Sequence, residues 1–313
     1  MTLIALDSFA DALACPRCKS GLARKDEGYK CAGEQCGQHF DVVDGQPVLV
    51  DFDDSILARD DIKRGATGSP IERGNGGTKR RVLQALLPAN RVAATNADRF
   101  LQLAGATARI LIIGGGSGGE GTDQLYAEGG PEIIAFDIYR SDLTQFIADA
   151  HRIPLADASV DAVWIQAVLE HVLDPWRVAE EIHRVLKPAG IVYAETPFMQ
   201  QVHEGAFDFT RFTESGHRWL FRRFEEIDSG VVLGTASQLL WSIDHVVRGV
   251  FRSVIAGVIA KTLFFWLGYL DRLIPRAYAS DGASAVYFLG RKSETAIGPK
   301  DMVAFYKGAH ARR

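Results

Sequence analysis

Cysteine is scarce in this 313-residue chain: there are four, and all of them fall between positions 15 and 36. A disulfide framework is not expected of them, because Met1–Ala14 has neither the basic start nor the long apolar core of a secretory signal, and thiols stay reduced in the cytoplasm. Excess positive charge is also missing, with 35 Lys and Arg against 39 Asp and Glu, a net charge of −4 and a pI near 6.1. That balance argues against nucleic acid as the main partner, although Lys79-Arg80-Arg81 could form a local basic patch. No apolar run reaches the roughly 20 residues of a membrane-spanning helix. The nearest approach, Ser253 to Leu270, is broken by Lys261 and bordered by Arg252 and Asp271. Internal repeats are absent as well. The hydrophobic content of 47% is enough to bury a full α/β core and a small appendage.

The most informative stretch is Arg109-Ile-Leu-Ile-Ile-Gly-Gly-Gly-Ser-Gly118. Its branched apolar residues read as a strand buried on both faces, and the glycines that follow allow a turn too tight for any side chain. Ser117, Glu120, Thr122 and Asp123 then suit the first turn of a helix, whose N-terminus attracts acceptors and negative charge. Strand, glycine loop and helix together hold nucleotide-like ligands at the carboxyl end of a sheet. A second buried strand, 132–136, ends at Asp137, where a carboxylate can accept hydrogen bonds from both hydroxyls of a ribose. Taken alone, these features serve NAD and S-adenosylmethionine equally, since Gly114, Gly116 and Gly119 also satisfy G-x-G-x-x-G.

The next fifty residues separate the two. The run Ile147–Val163, then Leu169-Glu-His171, Asp174-Pro175 and Val185-Leu-Lys-Pro-Ala-Gly190, resembles the class I S-adenosylmethionine-dependent methyltransferases of the "type 11" domain group over about residues 109–200. The resemblance implies that Gly114, Gly116 and Gly118 pass under the methionine part of the cofactor and that Asp137 holds its ribose. It implies further that Asp149 and Ala150 meet the adenine, with Gln166 beside the methionine moiety. Two departures stand out. Ile112 occupies the position two residues before the first glycine, where members of the group carry an acid for the methionine ammonium, so Glu170 or Glu120 would have to serve. Only Ile138–Thr144 separates the second strand from the third, too short for a crossover helix.

Methyl transfer from a sulfonium mainly requires alignment and exclusion of water, while an oxygen acceptor also needs a base. His151, His171 and His203 are the candidates. His171 could equally cap and pack the segment before the next helix. His203 lies in a loop with Asp208 and Arg211, just past Glu195-Thr-Pro-Phe198, where a guanidinium could clamp an acceptor carboxylate or phosphate, or could simply belong to a connector.

At the amino terminus, Cys15-Pro-Arg-Cys18 and Cys31-Ala-Gly-Glu-Gln-Cys36 form two close pairs a hairpin apart, the arrangement a tetrahedral structural zinc requires. His39, just past Cys36, is an alternative fourth ligand. A hairpin turning at Asp44-Gly45 follows. The stretch resembles the short zinc-ribbon proteins that partner tRNA methyltransferases, and ribbons of this type also occur fused to bacterial methyltransferases.

The expected architecture is therefore α/β: a Rossmann-like seven-stranded methyltransferase sheet with a small zinc ribbon before it and an apolar helical insertion before the last strand. The divisions expected are a ribbon over 1–50, a linker or lid over 51–78, a core over 79–230 with helices near 79–87 and 96–104, an apolar insertion over 231–280, and a last strand and polar tail over 281–313. The linker is expected to keep the ribbon's core separate from that of the sheet. The apolar stretch 239–274 suits an amphipathic element lying on a membrane surface, or helices packed on the sheet or between two copies of the chain. The activity expected is O-methylation of a glycan or lipid-linked sugar, in the cytoplasm or at the inner face of the membrane. The alternatives are an rRNA or tRNA base methyltransferase, or a cofactor-binding scaffold without catalysis.

Overall fold

The computed structural model describes residues 3–25, 27–63, 91–119, 122–127 and 129–311. The helix expected near 79–87, the Lys79–Arg81 patch, most of the glycine-rich linker and Glu120 lie outside the described residues.

The amino-terminal residues make a four-stranded antiparallel sheet of β1 (Leu22–Lys25), β2 (Gly28–Cys31), β3 (His39–Val43) and β4 (Gln46–Pro47), in that order. The turn between the last two is Asp44-Gly45, as expected, with φ of 47° and 84° that match the twist of a two-residue hairpin. A short helix, α1 (Arg59–Lys63), leads away from this sheet, and α2 (Arg91–Ala104) precedes the main sheet.

Seven strands form the main sheet: β5 (Arg109–Ile113), β6 (Glu132–Asp137), β7 (Phe146–Ile147), β8 (Val160–Gln166), β9 (Leu186–Pro197), β10 (Phe224–Leu233) and β11 (Ala285–Lys292). Their order across the sheet is β7-β6-β5-β8-β9-β11-β10. The first five run parallel, and β11 is antiparallel to both of its neighbours. Between β9 and β10 lies α4 (Glu214–Leu220), and α3 (Pro175–Val185) precedes β9, begun by the Asp174 side chain accepting the Arg177 N–H. The apolar insertion lies between β10 and β11 as α5 (Thr235–Phe251), α6 (Val254–Leu263), a 3-10 stretch Phe265–Arg272 and α7 (Arg276–Asp281). A short α8 (Pro299–Phe305) follows the last strand.

Alternation along the strands divides the core in two. Ile110, Ile112, Ile133, Ala135 and Trp164 meet Ala97 and Phe100 of α2 on one face. Leu111, Ile113, Ile134, Phe136 and Val163 meet Val178 and Ile182 of α3 on the other. The second face also takes in Phe9, Leu13, Tyr29, Phe40 and Leu49 from the amino-terminal module. Phe9 lies 6.4 Å from Phe146, which stacks on Phe136 at 5.5 Å. Backbone contacts join the same parts: Leu49 N–H donates to Ile147 O at 2.8 Å, and Ala14 N–H to Pro154 O at 3.0 Å.

The expectation of two separate cores is thus corrected, because the ribbon covers the end of the sheet. The reason is the short Ile138–Thr144 connection, which leaves β6 and β7 without a crossover helix on that face. The helix expected after the glycine loop is corrected as well. Among the described residues of that segment there is only a 3-10 turn, Thr122–Gln124, since glycines at 114–116, 118–119 and 129–130 disfavour helix on both sides. Phe9→Ala should lower global unfolding free energy by about 3–5 kcal/mol in one cooperative transition. Denaturation in which only residues 3–50 loosen, with the sheet unaffected, would contradict a shared core.

Candidate functional site

A cavity of about 660 Å³ opens at the carboxyl ends of β5, β6, β8 and β9, where ligands enter open α/β sheets. Its floor is the glycine loop. Gly114 has φ +77°, and a Cβ there would lie 2.2 Å from Val168 Cγ2. Gly116 N–H donates to Asp137 Oδ2 at 2.8 Å, and Ile138 N–H to Asp137 Oδ1 at 2.7 Å, so the loop and the end of β6 hold each other. A Cβ on Gly116 would reach within 2.6 Å of that carboxylate and of the Tyr139 ring. Neither Gly116 nor Gly118 is among the residues that line the cavity, and at Gly118 the nearest atom to a Cβ is 3.8 Å away.

Asp149 and Ala150 form another part of the wall. Asp149 Oδ1 accepts from His151 N at 2.9 Å and lies 2.6 Å from His151 Nδ1, while Ser55 Oγ donates to Oδ2. Because Asp174 N–H donates to His151 Nε2 at 3.1 Å, the ring proton sits on Nδ1 and points at Asp149. Burial opposes the charge on Asp149, but the bonds from His151 and Ser55 outweigh it and hold the carboxyl below its ordinary range.

Gln166 lines the cavity together with Glu195, the first residue of the Glu195-Thr-Pro-Phe198 motif. Gln166 Nε2 lies 3.3 Å from Glu195 Oε2, which also accepts from Tyr193 OH at 2.9 Å. Pleating puts Gln166, Glu195 and Ile112 on the same face of the sheet, next to Gly119, where a Cβ would be 2.4 Å from Gln166 Oε1. Glu195 is therefore a cavity-lining acid on the same face of the sheet as Ile112, with β8 between their strands.

Glu170 and His171 come from the turn after β8 and line the cavity. Glu170 is fully buried, neither of its oxygens takes a hydrogen bond from another described residue, and burial pushes its carboxyl up to about 8. His171 Nδ1 faces Phe207 O at 2.8 Å, and burial draws its pKa down to about 4. His203 is not part of the cavity lining, but its ring packs edge-on to that of His171 with centroids 4.9 Å apart.

Arg211, expected as a clamp for the acceptor, is bonded within its own loop. Its guanidinium donates to both oxygens of Asp208 and to the carbonyls of Gln200, Thr210 and Gln201, leaving it engaged in the loop. Asp208, which also accepts His203 N–H at 2.9 Å, has its charge opposed by burial. The Arg211 and His203 bonds outweigh this and bring its pKa to about 2. Neither side chain lines the cavity. The pair shapes the 203–213 loop. Sequence spacing placed them together correctly but could not show that they satisfy each other.

Cys15, Cys18, Cys31 and Cys36 bring their sulfurs within 4.8 Å of one another, with Cys15–Cys36 at 3.7 Å and Cys18–Cys31 at 3.3 Å. Tetrahedral Zn–S bonds of about 2.3 Å require sulfurs about 3.8 Å apart, so the four fit zinc. Hydrogen bonds from Ser20 draw the Cys18 thiol down to about 6, and Gly33 N–H donates to Cys31 Sγ at 3.3 Å. His39 lies on β3 and is not in the cluster.

Residues 111–194 match the methyltransferase domain family. A demethylmenaquinone methyltransferase of Clavibacter sepedonicus is 35% identical over 118 residues, covering 36% of this chain and 48% of that protein. A malonyl-[acyl-carrier protein] O-methyltransferase of Hamiltonella defensa is 24% identical over 139 residues, covering 41% and 54%. The chain thus spans about half the length of the curated relatives it matches. Among solved structures, a SAM-dependent methyltransferase from Archaeoglobus fulgidus aligns with TM-score 0.42 and 15% identity over 69% of this chain and 100% of that one.

Because Cys15 and Cys31 sit in the shared core, loss of the metal should be felt beyond the ribbon. Cys31→Ala is expected to abolish the thiolate charge-transfer band of the cobalt-substituted protein and to lower the single melting transition by ~5 °C or more. A full-height band in that variant would rule out the four-thiolate site.

Proposed function

We propose, for a chain that carries an S-adenosylmethionine-dependent methyltransferase domain, that it methylates an oxygen of a glycan or lipid-linked sugar presented at a membrane surface. The observation that carries the cofactor half is the bond from Gly116 N–H to Asp137, whose carboxylate lines the cavity beside Gly114 and Gly115. The loop amide fixes one carboxylate oxygen while the carboxylate faces the space a ribose would fill. Adenine then lies against Asp149 and Ala150, with the Asp149 carboxylate already oriented by His151 and Ser55. The methionine end lies by Gln166, and Glu195 takes the ammonium in place of an acid at position 112. The methyl carbon would face the wall formed by Glu170 and His171.

The acceptor class is supported by the insertion. Leu240, Ala260 and Leu267 turn inward, while Val250, Phe251, Ile255, Leu263 and Leu273 are each more than 65% exposed. Lys261 does not interrupt that outer surface: its ammonium lies 3.9 Å from the Trp241 ring centroid, and burial lowers its pKa. Arg252 and Arg272 remain at the margins. Among the described residues no single helix is long and apolar enough to cross a membrane, whereas Val254–Leu263 and Phe265–Arg272, bent by 49°, pass that test only as a pair. Such a surface suits the headgroup boundary, where each buried large apolar side chain contributes about 1.5–3 kcal/mol and each nearby cation about 1 kcal/mol. The insertion also reaches the site, because Gln201 donates to Ser242 Oγ at 3.1 Å and so ties the 198–213 loop to α5. The related proteins are named for a demethylmenaquinone and a carrier-bound malonyl group, so kinship over the cofactor half leaves the acceptor open.

Asp137→Ala and Gly116→Ala should each weaken S-adenosylhomocysteine binding about 30-fold, roughly 2 kcal/mol, whereas Gly118→Ala should stay within about two-fold of the parent. Calorimetry showing tight NAD binding, or equal effects at all three positions, would refute the cofactor reading. Flotation with anionic liposomes tests the acceptor side: Ile255→Glu with Ile259→Glu should release the protein, and high salt should weaken binding. A chain that ignores liposomes, or whose labelled methyl appears in RNA and not in lipid or polysaccharide, would overturn the proposed acceptor.

A further inference from the structure

We infer that Glu170, His171 and His203 form a second metal site, for one divalent transition cation, set in the wall of the cavity and distinct from the four cysteines. The inference begins with a carboxylate in an unusual place. Glu170 has no exposed surface, and neither of its oxygens accepts a hydrogen bond from another described residue. Burying a carboxylate in that state is expensive unless it is paired or bound to metal. Arg211 is the nearby cation, and its guanidinium is spread over Asp208 and three carbonyls.

Two imidazoles face the same oxygen. His171 Nε2 lies 3.6 Å and His203 Nε2 3.7 Å from Glu170 Oε1, and all three atoms fall within 4.8 Å of one another. The other nitrogen of each ring explains why these are the lone-pair ends. His171 Nδ1 meets Phe207 O at 2.8 Å, and His203 Nδ1 meets Gln201 O at 3.3 Å with Asp208 Oδ2 at 3.5 Å. A carbonyl can only accept, so the ring proton is on Nδ1 and Nε2 is left as a donor to metal. Metal-bound histidines commonly show this outer arrangement, with Nδ1–H held by a carbonyl or carboxylate. Ligands about 2.1 Å from a tetrahedral ion stand about 3.4 Å apart, so the two nitrogen–oxygen separations are within a few tenths of an ångström of that geometry, and the two nitrogens lie within 4.8 Å of each other. The loop is already anchored for it, since Phe209 and Thr210 N–H donate to Glu170 O at 2.8 and 3.2 Å.

Two imidazoles and one carboxylate select zinc, iron(II), cobalt(II), nickel(II) or manganese(II) over magnesium or calcium, and three protein ligands leave a position open. That position borders the cavity, because Glu170 and His171 both line it. Resting on the methyl-transfer reading, the cation would take the acceptor hydroxyl as its further ligand and lower its pKa. The hydroxyl proton leaves to solvent, the oxygen lone pair forms the new C–O bond, and the electron pair of the S–CH₃ bond stays on sulfur as the neutral thioether.

The test uses the full chain, dialysed to equilibrium against micromolar zinc and counted by mass spectrometry. Two zinc ions per chain are expected in the parent and one in His203→Ala and in the near-isosteric Glu170→Gln, each with the cobalt–thiolate band at the cysteines intact. A parent that holds one zinc, or variants that hold two, would overturn the second site. S-adenosylhomocysteine titration on the same samples separates this from the methyl-transfer reading. A second zinc with no cofactor binding upholds the site and refutes the transferase, and cofactor binding with one zinc does the reverse.

Discussion

The packing of the amino-terminal ribbon on β6 and β7 is the constraint on which the rest of the structure depends. A mostly parallel sheet must be covered on both faces, and the chain leaves too few residues between those strands for a helix to do it. Phe9, Leu13 and Leu49 supply the missing cover. The segment leaving the ribbon then runs directly to the cavity. Val48 pairs with Ile147, Arg17 is bonded to Asp51, and Asp54 joins Arg152 and Arg177. Ser55 reaches Asp149, and Ile56, Leu57 and Asp61 line the cavity itself. A four-thiolate metal centre that does no chemistry therefore has a route to the cofactor: it stabilises the module that completes the sheet, and the sheet positions Asp137 and Asp149.

What could be read in the sequence was what depends on neighbours along the chain. Strand β5, the glycine turn, Asp137 at the end of β6, the Asp174–Pro175 start of α3 and the spacing of the four cysteines are local patterns, and they appear where they were expected. What could not be read depends on partners distant in sequence. The fusion of ribbon and sheet rests on contacts between residues more than a hundred positions apart, such as Lys19 with Glu181. Arg211 looked free because its charge is visible in sequence and its satisfaction by Asp208 and three carbonyls is not. Glu195 was overlooked for the converse reason. Its signal, the alternation that places it on the face of Ile112, needs the register of β8 against β9 before it can be used.

The helical insertion shows the same limit in a single side chain. Lys261 in the middle of an apolar run counts against insertion in lipid when the sequence is read as a line. In the fold it turns inward over Trp241, near Asp244, which is itself buried and bonded to Arg248. The outer face of α6 is left to Val254, Ile255, Val258, Ile259 and Leu263. Asp271 secures the arrangement by accepting the N–H groups of Ala236 and Ser237 at the start of α5, an end that has no cap of its own.

The two halves of the site consequently differ in how they are built. The cofactor half stands on strand ends and a glycine turn, which are rigid and carried by a short stretch of sequence, and this is the part that related methyltransferases share. The proposed acceptor half is a loop. It is held by the Asp208–Arg211 pair, by backbone bonds to Glu170, and by one side-chain bond from Gln201 to the apolar insertion. Specificity is free to change in such a loop without disturbing the sheet. In this chain the loop brings a histidine to a buried glutamate that already has a histidine beside it, and it links that cluster to the exposed apolar surface of the insertion. On the proposed reading, chemistry at the acceptor and attachment to its surroundings would be carried by one loop, so that a change in one would be felt by the other.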